Sequence, residues 1–178
     1  VPVRGSVVFP HTDSLLSFGR AKSISAVESA YQGDRIVAIF TQKESTVSDP
    51  TCDDLYPIGT LVVITQMMTS DGEIHAMVRG QSRIELVEEL SEEPYLVAKV
   101  SEIEEKDFEG TEVEAMSKRL VDLFRKAVNF GKGVEITTIM RILSQHTEAV
   151  ELVDSVAQVL EIKPEEKQAL LEELSVQT

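Results

Sequence analysis

Residues 61–86 read LVVITQMMTSDGEIHAMVRGQSRIEL. Runs rich in Val, Ile and Thr are broken at Asp71-Gly72 and again at Gly80. Asp-Gly between two β-prone runs signals a hairpin, because both central residues of a type I′ turn take positive φ. The stretch predicts paired strands over Thr60–Thr69 and Glu73–Arg79, a tight reversal at Gly80-Gln81, and a further strand over Arg83–Leu90. After the acidic SEEP segment, Tyr95–Ile103 supplies another strand, and Val3–Phe9 and Arg35–Phe40 read as strands upstream. Reversals every ten or so residues point to a small barrel or sandwich, not a parallel sheet.

One helix interrupts the strands. GRAKSISAVESAYQG, residues 19–33, puts Ile24, Val27 and Tyr31 on one face, sends Arg20, Lys22 and Glu28 toward water, and ends at Gly33. It is placed to cover one opening of a barrel. KESTVSDPTCDDLYPIG, residues 43–59, has no period and reads as a long surface loop. Past residue 104 the apolar period changes from two to about 3.6, so a domain boundary falls there: residues 1–104 are β-rich and residues 105–178 helical. Val113, Met116, Leu120, Leu123 and Phe124 define one buried face, ending near Phe130-Gly131, after a Thr111/Glu114 capping box. Ile136, Ile139, Met140 and Leu143 define a second helix, and Val150, Val153, Val156, Val159 and Leu160 a third capped by Thr147. Pro164 opens a fourth, where its missing N–H has no helical partner to lose. Short connections make these neighbours antiparallel, hence a helical bundle and an α+β protein.

The chain has 178 residues, 42% of them hydrophobic, and a net charge of −14. Residues 1–100 hold 14 acidic against 8 basic side chains and residues 101–178 hold 17 against 9, so neither half is basic. Nucleic-acid affinity depends on Lys and Arg displacing condensed counterions, and anionic membranes make a similar demand. Both partners are disfavoured. No run of 18 apolar residues and no signal peptide is visible, which points to the cytoplasm. The absence of an initiator Met, and an end in LLEELSVQT straight after a helical pattern, suggest a piece of a longer protein.

Catalytic and metal patterns fail on inspection. Gly131-Lys132 has Lys126 and Gly133 where a P-loop needs Gly and Ser or Thr. Ser6 follows Gly5 but has no G-x-S-x-G elbow and no partner base. His11, His75 and His146 have no metal-ligand spacing, and Cys52 alone cannot form a disulfide or a cysteine zinc cage. Glu88-Glu89, Glu92-Glu93 and Glu104-Glu105 read as solvated runs. Met67, Met68 and Met77 on paired strands are candidates for an adaptable apolar groove as well as for core packing. A non-enzymatic interaction module is what the residues support.

The order of segments adds to this. PVRGSVVFPHT, FGRAKSISAVESA, VAIFTQKE, DDLYPIGTLVVITQMMTSDGEIHAMVRGQSRIEL, PYLVAKV and KPEEKQALLE together resemble the N-terminal domain of Lon, the ATP-dependent serine protease of bacteria and organelles. The resemblance covers nearly the whole chain and is most specific at GR-x-KS, DLY-x-x-G-T, DG with V-x-G-x-x-R, and EKQ-x-LLE. It implies a PUA-like six-stranded β-barrel followed by a helical bundle. It also implies that the ATPase module, with its ATP and magnesium, and the Ser-Lys peptidase module lie downstream, leaving this chain without cofactor or catalytic residues. The implied partners are unfolded, damaged or degron-bearing proteins, adaptor proteins, and other subunits of a hexamer. Arg20 and Lys22 match the family pattern, with Ala21 where many relatives carry Glu, and they join Met67, Met68 and Met77 as candidate substrate contacts. The alternative is a free-standing PUA-like module for RNA or a small ligand.

Overall fold

Asp71 and Gly72 take φ of 53° and 80° and close the hairpin as their identities require. The computed structural model describes residues 1–104, 110–129, 136–144 and 148–174. The strands are β1 (Pro2–Val3), β2 (Asp13–Phe18), β3 (Ile36–Thr41), β4 (Ile58–Ser70), β5 (Glu73–Ser91) and β6 (Val97–Glu102). The helices are α1 (Ala21–Gln32), α2 (Thr111–Asn129), α3 (Ile136–Leu143), α4 (Ala149–Val159) and α5 (Pro164–Glu172). All six strands form one sheet of order β1-β3-β4-β5-β2, with β6 also paired to β5. The class is α+β. Every pairing is antiparallel except β1 with β3. The path runs from β1 to β2, and no described ladder joins those ends.

Gly80 is not a turn. β5 runs straight through it, paired first with β2 and then with β6. A Cβ at Gly80 would collide with the Phe9 carbonyl oxygen, so the glycine serves a close crossing of two backbones. There His11 N donates to Gly80 O (3.1 Å) and Gly80 N to Thr12 O (2.9 Å). The expected reversal became a bulge, because Leu61 faces Ser82 while Val62 faces Gly80, leaving Gln81 as the extra residue.

The expected strand Val3–Phe9 shrinks to Pro2–Val3. Val7, Val8 and Phe9 are buried, but side chains replace a ladder. Thr60 Oγ1 donates to Val8 O (2.6 Å), Thr41 Oγ1 to Ser6 O (2.8 Å), and Phe9 N to Gln158 Oε1 (3.1 Å). Buried backbone needs partners, and side chains meet that need here. The strand missing from the sequence reading is β2, whose Leu16 and Phe18 point into the core. That core gathers Val37, Ile39, Val62, Ile64, Ile74, Ala76 and Val78 from the sheet under Val27 of α1, with Ile24 and Tyr31 packed against it.

The helices cluster around Phe124, Ile142, Leu152 and Val156, from α2, α3 and α4. The fourth helix departs from the expected bundle. α5 puts Leu171 in a cluster with Val7, Phe9 and Ala157, and Gln168 Nε2 donates to Ile58 O of β4 (2.9 Å). Pro164 begins α5 as read, and Lys163 N donates to the Glu166 carboxylate (3.0 Å). Two helical faces are also shifted: Val113 and Phe124 are buried on α2, whereas Met116 and Leu123 are exposed, as are Ile136 and Met140 on α3. Thr147 as a cap, Phe130-Gly131 as a helix end, the Gly131–Gly133 segment and His146 lie outside the described residues.

A buried ion pair joins β5 to the helices. Arg83 and Asp154 are 5% and 1% exposed, with Nη2–Oδ1 at 2.6 Å and Nη1–Oδ2 at 3.2 Å, and Arg83 Nε donates to Leu171 O (3.0 Å).

Candidate functional site

The five residues singled out in the sequence do not form one cluster. Arg20 is the N-cap of α1, and its Nη2 donates to Pro2 O (3.0 Å). Burial lowers its pKa from the usual arginine value, and the neighbouring Arg4 charge acts in the same direction. Lys22, in the first turn of α1, holds Asp49 (3.1 Å) and Glu93 (3.3 Å). The hydrogen bond to Asp49, followed by that to Glu93, raises its pKa. Both cations therefore tie α1 to neighbouring chain: Arg20 to β1, and Lys22 to the 43–59 loop and the turn before β6.

The methionines split across the sheet, because successive residues of a strand face opposite sides. Met67 sits opposite Ala76 and packs, partly buried, against the core. Met77 and Met68 stand on the outer face, 36% and 64% exposed. Leu15 of β2 is directly opposite Met77 and is 66% exposed. Opposed pairs lie about 5 Å apart at Cβ, and diagonal ones remain within reach of long side chains. Leu15, Met77 and Met68 thus make an apolar outer row. Sequence reasoning missed Leu15 because DSLLSF lacks the β-branched residues that mark a strand; its one signal was the spacing of Leu16 and Phe18.

One cleft of about 610 Å³ is lined by Leu15, from that row, and by the basic side chains Arg4 and Arg20. Leu15, Leu16 and Phe18 form one wall, Pro2, Val3 and Arg4 the other, and Arg20 and Glu73 also line it. These walls are the two terminal strands of the sheet path. Lys22 lies instead on a second cleft of about 300 Å³ with Ser48, Asp49, Pro50 and Leu96, which Arg20 shares. Arg20 and Leu15 therefore line one cleft, and Lys22 lies outside it.

Reactive groups are sparse here. Ser17 Oγ and His75 Nδ1 are 2.8 Å apart on the outer face, but the pair is exposed, and no described carboxylate is bonded to His75 to orient it. Among the described residues no group of three or more His, Cys, Asp or Glu could hold a metal ion, and no helix is long and apolar enough to cross a membrane. What the surface offers is aliphatic and thioether area near a cleft lined by the guanidinium groups of Arg4 and Arg20 and the carboxylate of Glu73.

The whole chain, residues 1–178, matches the family model described as the ATP-dependent protease La (LON) substrate-binding domain. The chain belongs to the Lon substrate-binding domain family. It is 34% identical over 177 residues to a Lon protease of Desulforamulus reducens, covering 99% of this chain and 22% of that protein. A Lon protease of Dictyoglomus thermophilum gives the same identity and coverage. The chain thus spans about a fifth of the length of these curated relatives. Its fold is that of the N-terminal domain of Mycobacterium avium complex Lon protease, with a TM-score of 0.80 at 18% identity, covering 99% of this chain and 90% of that one. A Lon N-terminal domain protein from Xanthomonas campestris aligns at a TM-score of 0.63 and 16% identity, covering 98% and 89%. The family match covers the segments around Gly19-Arg20 and Asp71-Gly72. It assigns no role to Leu15, Met68 or Met77.

Proposed function

We propose that this domain holds unfolded or degron-bearing polypeptides for an ATP-dependent Lon protease, has no bond-breaking chemistry of its own, and contributes to assembly of the full-length subunits. The observation that carries the reading is the apolar row Leu15–Met77–Met68, of which Leu15 also lines the cleft containing Arg20. A varied client set excludes a rigid shaped pocket and favours an open apolar surface built from flexible side chains. In this reading ATP, magnesium and peptide-bond cleavage belong to other regions of the parent protein, the compartment is the cytoplasm, and adaptor proteins share the surface. The architectural part of the proposal is a PUA-like barrel over residues 1–104, with β1 and β2 meeting at the cleft, and a helical domain over residues 105–178.

The test is fluorescence anisotropy with labelled, reduced casein as the unfolded client. The chain binds weakly, at about micromolar affinity. Burying three such side chains yields up to roughly 1.5–3 kcal/mol each when complete. Leu15→Ser/Met68→Ser/Met77→Ser therefore weakens binding by at least about fivefold, while circular dichroism shows the fold retained because the side chains are on the outer face. Unchanged casein affinity in that variant would remove the row from the site.

A further inference from the structure

Two surfaces of this acidic chain have opposite charge and similar apolar content. The first is the outer end of β5. Residues 85–93 carry five glutamates and no Lys or Arg. Register shifts between Leu86 and Glu88 and between Glu89 and Ser91 leave Val87 and Leu90 as extra bulge residues, and each is more than half exposed. Glu85 and Glu88, opposite Ser101 and Lys99 of β6, are exposed and in no described ion pair. The stripe Glu85, Val87, Glu88, Leu90 alternates acid with aliphatic.

The second surface is α2. Residues 116–126 hold Lys118, Arg119, Arg125 and Lys126 against Asp122 alone, an inversion of the chain's overall charge. Met116, Arg119, Leu123 and Lys126 are spaced three, four and three residues apart, which places them on one helical face. All four are exposed, and neither Arg119 nor Lys126 is in a described ion pair. This stripe alternates apolar with base. Its span, at 1.5 Å per residue, is about 15 Å; the β5 stripe, at 3.3 Å per residue, spans about 17 Å.

We propose that the β5 stripe of one copy docks against the α2 stripe of a second copy, head to tail, setting Val87 and Leu90 on Met116 and Leu123 and the two glutamates on Arg119 and Lys126. A two-fold contact of either stripe with itself would oppose like charges, so the pairing uses different surfaces on the two partners. Such contacts propagate to a ring where the rotation closes. The inference deepens the assembly part of the reading above and is independent of substrate capture.

Sedimentation equilibrium of the chain over a concentration series tests it with two variants whose substitutions lie in water, folding being checked by circular dichroism. Glu85→Gln/Glu88→Gln reduces the net charge of −14 by two. If global repulsion governed association, that variant would associate more tightly. Docking requires the opposite, a weakening of about tenfold, with a similar loss for Arg119→Gln/Lys126→Gln. Mixing the two variants leaves one intact acidic stripe and one intact basic stripe, so a heterodimer of wild-type affinity forms and growth stops at two. Association undiminished in either variant, or a mixture no tighter than its components, overturns the docking while leaving an assembly role on another surface. A wild-type chain that stays monomeric at every concentration overturns both.

Discussion

Replacing Asp154 with Ala isolates the ion pair that joins the sheet to the helices. Arg83 would keep its bond to Leu171 O but lose two short contacts to a carboxylate, and both partners are almost wholly buried. Removing one member of a buried pair leaves the other charge less well compensated in a poorly solvating site, which costs about 3–5 kcal/mol. Domains of this size have roughly 5–15 kcal/mol in total, so about a fifth or more of the stability is at stake. The melting temperature falls by roughly 6–20 °C at 2–4 °C per kcal/mol. Urea titration followed by circular dichroism measures the loss as a lower midpoint with an unchanged slope. Sheet and helical signals should fall together, because Arg83 is on β5 while Asp154 and Leu171 are on α4 and α5. The double variant Arg83→Met/Asp154→Leu regains most of the loss, since an apolar pair of similar volume carries no desolvation penalty. A loss below about 1 kcal/mol in Asp154→Ala, or a double variant as weak as the single one, would refute the reasoning.

Other consequences follow from particular contacts. Gly80→Ala drives a methyl group into the Phe9 carbonyl and destabilises the chain by about 1–3 kcal/mol in urea titration, despite alanine's ordinary fit to a strand. Gln158→Ala orphans the Phe9 N–H and removes an acceptor from Thr12 Oγ1, lowering stability by about 1–3 kcal/mol in the same assay. Burial, followed by the hydrogen bond to Glu89, pushes the Cys52 thiol up to about 12 from 9.0. Its folded pKa is raised, so the associated stability is full below pH 9 and is lost as pH climbs from 9 toward 12. Native Cys52 therefore resists iodoacetamide at pH 8.5 and reacts once urea unfolds the chain, as mass spectrometry would read.

What could be read in the amino-acid order was local. Asp71-Gly72 specifies its turn through φ, Pro164 opens a helix through a missing N–H, and the change of period near residue 104 marks where strands give way to helices. Each rests on a few neighbouring residues, whose preferences are expressed in the chain itself. The rest depended on partners far away in sequence. Gly80 resembles a turn until Phe9 is seen passing over it, and DSLLSF becomes a strand because β5 offers it an edge. The 3.6 period marks Met116 and Leu123 as apolar but not whether another helix covers them; they remain in water. Arg83 and Asp154 are 71 residues apart, and nothing near either one announces the other. Alternation likewise told that Met67 and Met68 must face opposite ways, but only the packed sheet decided which one meets water, since burial is a property of the assembled layers and not of the strand alone.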